Sequence, residues 1–102
     1  MKQSQAVSAL SSLAQETRLD IFRLLVLAGQ NGMASGAVAE RLKVSAANAS
    51  FHLGHLEQAG LIASDRVSRS IIYKANYDAM GALMNFLLED CCGGDKRIKS
   101  CC

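Results

Sequence analysis

Residues 44–60, VSAANASFHLGHLEQAG, decide the fold of this chain because their pattern is that of one amphipathic helix. The apolar residues Ala49, Leu53 and Leu56 are four and three positions apart, which is the helical period. We therefore expect these three side chains to form the buried seam of a helix that packs against the rest of the protein.

The ends and the outer face of this helix are equally informative. Ser45 is placed to cap its N-terminus, and Gly60 is placed to end it. Glu57 is its only formally charged side chain, whereas a helix that only faces water normally carries pairs of Lys and Glu. Small side chains with short hydrogen-bonding groups suit a helix that enters a DNA groove and touches base edges. The outer face consists of Ala47, Asn48, Ser50, Phe51, Gly54 and His55.

Length and composition restrict the class of protein. The chain has 102 residues, half of them hydrophobic, which predicts one domain with a modest core that dimerisation would help to stabilise. The net charge of +2 is compatible with nucleic acid. There is no apolar run long enough to cross a membrane and no signal-peptide pattern at the start. We expect a cytoplasmic protein whose thiols are reduced.

Three more helices precede the central one. Residues 7–14 have apolar positions at helical spacing, although a frayed N-terminal tail is the alternative. Residues 17–28 are strongly apolar and end before Gly29, so this helix should lie in the core. Residues 33–42 are predicted to form a third helix. A short turn then joins it to the central helix, which is the helix-turn-helix pattern.

The period changes after the central helix. Residues 61–67 and 71–75 alternate and are rich in β-branched side chains, which predicts a β-hairpin. Arg66 and Arg69 lie at or near its tip. A hairpin directly after such a helix is the wing of a winged helix, and its arginines suit DNA phosphates or the minor groove. The alternative is two solvated arginines on a surface loop.

The last predicted helix, residues 77–90, carries a broad stripe of methionine and leucine. This stripe either completes the core of one chain or packs against a second subunit, and we favour the second subunit. The predicted fold is mainly α with a small β-hairpin, a dimeric winged helix-turn-helix of order α-α-α-α-β-β-α. Residues 1–90 form the DNA-binding and dimerisation domain, and residues 91–102 form a cysteine-bearing tail.

This order of elements resembles the ArsR/SmtB family of bacterial metalloregulatory repressors. Two segments carry the resemblance, and together with their surroundings they extend it over residues 7–92. They are LAQETRLDIF at residues 13–22, and the central helix with its VS, NASFHL and LEQAGL motifs at residues 44–61. Phe51 stands where relatives often have a polar residue, and Ser68 where many have glycine.

The resemblance implies a homodimer that binds double-stranded operator DNA and leaves it when an inducer binds. It also implies an interface built from the first and last helices. Two neighbouring elements would supply the DNA contacts. The candidate residues are Ser45, Asn48, Ser50, His52 and His55 on the central helix, and Arg66 and Arg69 on the wing.

All four cysteines lie in the last 12 residues: Cys91, Cys92, Cys101 and Cys102. The vicinal pair that closes the last helix resembles the C-terminal arsenite site of one ArsR branch, where the third cysteine lies closer in sequence. By this resemblance, As(III) is the inducer, or Sb(III) or a trivalent organoarsenical. The vicinal pair and either Cys101 or Cys102 would be its ligands. Soft thiolates select such soft ions.

Other functions remain open at this point. Zinc could use four thiolates, but zinc sites normally space cysteines two residues apart. A redox- or persulfide-responsive repressor is the stronger rival, because the basic residues Lys96, Arg97 and Lys99 would make nearby thiols more reactive. A tail of merely exposed thiols and a dimeric interaction module without DNA are also compatible with the sequence. No arrangement typical of an enzyme or a catalytic cofactor site is present.

Overall fold

The computed structural model describes residues 1–88 as a helical domain with one small antiparallel sheet. Residues 89–102, with all four cysteines and the last positions predicted to be helical, lie outside the described part. The helices are α1 Gln3–Leu13, α2 Glu16–Ala28, α3 Ser35–Leu42, α4 Ala46–Gln58 and α5 Tyr77–Leu87, and the strands are β1 Met33–Ala34, β2 Ile62–Val67 and β3 Ser70–Ala75. None of the helices described is long and apolar enough to cross a membrane.

The core forms where α2, α3 and α4 meet the sheet. Ile21 and Leu25 of α2 are completely buried, as the apolar run of this helix predicted. Val38 contributes from α3, and Leu53 and Leu56 contribute the predicted seam of α4. Each fully buried aliphatic side chain contributes roughly 1.5–3 kcal/mol relative to exposure. This core fixes the position of α4, which is therefore held by one face and open on the other.

Helix α1 is longer than predicted, since it starts at Gln3 rather than at residue 7. Its first turn is polar, so the apolar spacing gave no signal there. Its inner face is built from small residues, Ala6, Ala9 and Ser12. Val7 and Leu10 point outward, Val7 with 57% of its surface exposed, whereas Leu13 packs against the core. In one chain, α1 therefore buries its small residues and leaves Val7 and Leu10 exposed.

The prediction of a helix over residues 33–42 is wrong at its start, because Met33 and Ala34 form strand β1. This strand pairs with β3, with Met33 opposite Tyr73, and gives the sheet order β1-β3-β2. Gly32 precedes it with φ +66°, a conformation that favours glycine and turns the chain onto β3. A two-residue strand is too short for alternation to reveal it.

Helix α5 begins where the Asn76 side chain caps it, accepting a hydrogen bond from the Ala79 amide at 3.1 Å. Of its predicted apolar stripe, only Leu83 is buried in the single chain. Met84 and Leu87 remain exposed, Leu87 by 55%. The outward part of this stripe therefore lacks a partner within the described chain.

Candidate nucleic-acid interface

The turn from α3 into α4 is closed by backbone hydrogen bonds. Lys43 adopts the left-handed conformation, with φ 57°, and ends α3. The Lys43 amide donates to Glu40 O and the Val44 amide to Ala39 O, at 3.3 and 3.0 Å. Ser45 then caps α4, because its Oγ accepts from the Asn48 amide at 3.0 Å. The two helices are thereby joined by three residues, as the helix-turn-helix pattern predicted.

The C-terminal end of α4 is closed by a Schellman motif. The Gly60 amide donates to Glu57 O and the Leu61 amide to Leu56 O, at 3.0 and 3.1 Å. Gly60 has φ +80°, which confirms its predicted role in ending the helix. Because the Leu61 amide completes this motif, strand β2 starts one residue later than predicted, at Ile62.

The outer face of α4 is open along its length, as predicted. All six residues predicted to form this face are exposed, and the opposite seam of Ala49, Leu53 and Leu56 is buried. Within this face the polar groups that can reach a groove come from Ser45, Asn48, Ser50 and His55. The result is an exposed face of short polar groups around one aromatic ring, Phe51, on a rigid support, and such a face can contact base edges in a major groove.

His52 differs from the other candidates on α4 because it is only 8% exposed. Its Nδ1 lies 3.3 Å from Nη1 of Arg18. Arginine can only donate, so Nδ1 accepts and the imidazole is neutral with its proton on Nε2. The geometry therefore gives His52 a role in docking α4 onto α2 rather than the DNA contact that we expected.

Arg18 joins three helices at this point, and the apolar pattern of α2 did not single it out. Its Nε donates to Ser12 O at the end of α1, at 2.7 Å, and its amide donates to the Gln15 side chain. The sequence feature that could have identified Arg18 is a charged residue within a strongly apolar helix. Such a residue needs acceptors nearby, and here they are a helix end and His52.

The His52 contact predicts a pH dependence of stability. Burial lowers the pKa of His52 below its usual 6.5, and the charges of Arg18 and His55 lower it further. The unfolded chain then binds more protons than the folded one below about pH 6.5. The free energy of unfolding should therefore fall as the pH drops through 6.5 towards the folded-state pKa, and urea titrations at a fixed protein concentration measure it.

His52→Asn should remove this part of the pH dependence, because asparagine keeps an acceptor near Arg18 but does not titrate. The matched control is His55→Asn on the exposed face of the same helix, which should keep most of the wild-type slope between pH 7 and 5 because it removes only the smallest of the three influences on the pKa of His52. If His52→Asn loses stability with acid as steeply as wild type, this explanation of the contact is wrong.

The wing, strands β2 and β3, is linked to the C-terminal end of α4 by a side-chain hydrogen bond. The Ser64 hydroxyl of β2 donates to Glu57 Oε2 of α4 at 2.6 Å. The strands are joined by a two-residue turn, with Val67 paired to Ser70 and Ser68 at φ 59°. The turn is thus one residue shorter than predicted, and Ser68 takes a left-handed conformation in which glycine would be less strained.

The two wing arginines are exposed near this turn. Arg66 precedes it in β2, and Arg69 lies within it. Over residues 1–88 neither forms an ion pair, whereas Lys74 pairs with Asp65 at 3.4 Å further down the hairpin. The guanidinium groups are therefore available to an external anion.

The α4 and wing candidates lie on neighbouring elements joined by the Ser64–Glu57 hydrogen bond, whereas the thiol candidates fall in another part of the chain. Cys91, Cys92, Cys101 and Cys102 all fall outside the described residues. Over residues 1–88, no three His, Cys, Asp or Glu side chains are grouped closely enough to hold a metal ion.

Comparisons with known proteins agree with this geometry. A helix-turn-helix domain model matches residues 13–65, just over half of the chain, from the end of α1 into β2. An ArsR-like transcriptional regulator from Rhodococcus sp. RHA1 has a similar structure, with 28% identity and a TM-score of 0.77. The similarity covers 95% of this chain and 89% of that one. No curated protein matches the sequence.

Two further solved structures share the fold. One is the homodimeric winged helix-turn-helix DNA-binding domain of a possible ArsR-family regulator from Mycobacterium bovis, with 24% identity, TM-score 0.69, and 83% and 77% of the two chains covered. The other is reduced HlyU from Vibrio cholerae N16961, with 27% identity, TM-score 0.66, and 83% and 85% covered. The chain belongs to the helix-turn-helix domain family and is a winged-helix, DNA-binding transcriptional regulator of the ArsR-like type rather than an enzyme.

Proposed function

We propose that this protein is a homodimeric repressor in the cytoplasm that binds an imperfect DNA palindrome and is released by As(III). The observation that carries the DNA part is the outer face of α4, which is open and polar while its inner face is locked into the core. In a symmetric dimer, two such helices would enter successive major grooves about 34–36 Å apart.

The exposed apolar side chains of α1 and α5 support dimerisation through these helices. Val7 and Leu10 on α1, with Met84 and Leu87 on α5, are large apolar residues left open in the single chain. The two helices also contact each other. Covering such a surface is favourable in proportion to the apolar area removed from water. The structure of the similar domain from Mycobacterium bovis is homodimeric, which supports a homodimer here.

The proposed DNA contacts divide between the helix and the wing. Asn48 carries an amide that can bond to adenine in two places, and Ser50 and His55 offer shorter contacts to bases or phosphates. The Ser45 hydroxyl accepts from the helix backbone and keeps its proton free for a phosphate. Arg66 and Arg69 would contact the backbone or the minor groove beside the helix.

This arrangement predicts the salt dependence of the wing variants. Arg66→Ala and Arg69→Ala should each weaken binding similarly for all sequences. Each should also reduce the slope of log K against log salt by about one, because each substitution removes one arginine contact to a DNA phosphate. Arg23→Ala is the control, since Arg23 is an exposed arginine on α2, outside the helix-turn-helix and the wing. Anisotropy titrations at several salt concentrations measure the slopes, and wild-type slopes in both wing variants would contradict the assignment.

The inducer part of the proposal rests on the donor set of the tail. As(III) forms three bonds and keeps a lone pair, so three thiolates suit it, and residues 91–102 offer four thiols. Cys91 follows Leu87, the last residue of α5, by four positions. If α5 lies at the dimer interface, a ligand bound there can alter the relative positions of the two α4 helices. Allosteric coupling is typically about 1–3 kcal/mol, which is enough to release a moderately bound operator.

A thiol-based redox or persulfide switch is the second candidate. It uses the same cysteines, and the basic residues at 96, 97 and 99 favour thiolate formation. Structural similarity to HlyU, which was solved in a reduced form, adds weight to this alternative.

One titration separates the two candidates. Labelled DNA from upstream of the gene is bound by reduced protein, and arsenite, zinc and hydrogen peroxide are added in separate experiments while anisotropy is recorded. Release by near-stoichiometric arsenite supports the proposal. Release by peroxide alone, reversed by dithiothreitol, would replace it with the redox switch. Release by zinc alone would contradict both.

A further inference from the structure

Phe51 is the anomaly on the outer face of α4. It is 59% exposed in the middle of a helix face whose other members are small or polar. More than half of this large apolar ring is in water, so a partner that covered it would gain favourable free energy. The helix-turn-helix places this face outward, on the side opposite the buried seam.

The ring of Phe51 is braced from within its own helix. The His55 ring lies one turn along, with centroids 4.8 Å apart and planes at 71°. The His52 ring lies 5.2 Å away at 67°. Both are edge-to-face arrangements, which aromatic rings prefer. Because His52 is itself held by Arg18, the Phe51 ring is positioned before any partner arrives.

The residues beside Phe51 leave the ring accessible. Gly54 follows it by three positions and Ala47 precedes it by four, so both share its face of the helix. A Cβ built at Gly54 would meet no heavy atom within 4 Å, which shows open space beside the helix at that position. The ring therefore stands as an apolar projection between two small neighbours.

From this geometry we infer that Phe51 is a specificity-determining residue that contacts a thymine methyl group in each half-site. The inference rests on the proposed entry of α4 into the major groove. The thymine C5-methyl is the apolar group that base pairs present in that groove, and phenylalanine is one of the side chains that contact it. Cytosine lacks the methyl, so the contact would favour T·A at that position.

Thymine-to-deoxyuridine substitution tests this contact because it removes only the methyl group. Each thymine of the bound upstream duplex is replaced in turn, and affinity is measured by anisotropy competition. One position per half-site should weaken wild-type binding by about fourfold, the effect of one methyl group withdrawn from an apolar contact. Phe51→Ala should bind the unmodified duplex more weakly and should be insensitive to deoxyuridine at that position. Phe51→Leu should retain most of the sensitivity.

The outcomes separate this inference from the proposed function. If wild type prefers the upstream duplex over a scrambled one but no deoxyuridine weakens it, the thymine contact is wrong and the repressor proposal stands. The same conclusion follows if Phe51→Ala keeps the wild-type deoxyuridine profile. If wild type does not distinguish the upstream duplex from the scrambled one, both proposals fall. A Phe51→Ala protein that loses its dimeric state, measured by sedimentation, would instead place Phe51 at the subunit interface and overturn the inference.

Discussion

Gly32→Ala is expected to destabilise the protein by about 2–6 kcal/mol, because both the backbone conformation and the surroundings of this residue exclude a side chain. Gly32 has φ 66° and ψ −162°, a region that is essentially restricted to glycine and costs other residues roughly 1–3 kcal/mol. A Cβ there would also lie 2.5 Å from Tyr73 O and 2.8 Å from Lys74 Cγ. Overlap of this kind forces strand β3 to move, which adds about 1–3 kcal/mol.

Gly29→Ala is the matched control for this prediction. Gly29 has nearly the same backbone conformation, with φ 71° and ψ −152°, but a Cβ there meets nothing within 4 Å. It should therefore show the backbone cost alone. Urea unfolding of both variants at one protein concentration measures the difference, since the stability of a dimer depends on concentration. Equal losses in the two variants would show that contact with β3 does not restrict position 32.

The second large effect concerns the inducer. The Cys91→Ser, Cys92→Ser protein should bind DNA as tightly as wild type and should remain bound when arsenite is added. Two of the three proposed thiolates are absent, so the coupling of about 1–3 kcal/mol, equivalent to roughly 5- to 150-fold in DNA affinity, is lost. Anisotropy of the bound duplex, with arsenite added stepwise to reduced protein, measures the response.

The remaining cysteine pair provides the comparison. Cys101→Ala and Cys102→Ala single variants should each keep most of the arsenite response if either residue can supply the third thiolate, and the double variant should lose it. Full arsenite release from the Cys91→Ser, Cys92→Ser protein would refute the assignment of the site to the tail.

Much of the fold follows from local chemistry in the sequence. The α4 seam, its serine cap and its terminating glycine all act within a few residues of each other, so the pattern predicted them correctly. Strand β1 could not be predicted in this way, because its two residues form a strand only by pairing with β3, about forty positions later in the chain. Gly32 marks the start of β1, but the contact with β3 that requires glycine there is seen only in the folded protein.

In the candidate site, too, features set by nearby residues were predictable and features set by distant contacts were not. Exposure of Asn48, Ser50 and His55 followed from helical spacing alone. The burial of His52 did not, because it depends on Arg18, a residue 34 positions away. The thiol ligands and the division of the chain into residues 1–90 and 91–102 stay predictions, since the tail lies outside the described residues.

Selection of bound duplexes from a randomised DNA pool by the reduced wild-type protein tests the central claim most directly. Two α4 helices in successive major grooves predict an inverted repeat with half-sites about 10–10.5 base pairs apart, centre to centre. Replacement of Asn48 by Ala should relax the preference at one base pair in each half-site. Recovery of sequences without an inverted repeat, or a motif unchanged by Asn48→Ala and Ser50→Ala together, would contradict the role of α4 as the element that recognises DNA.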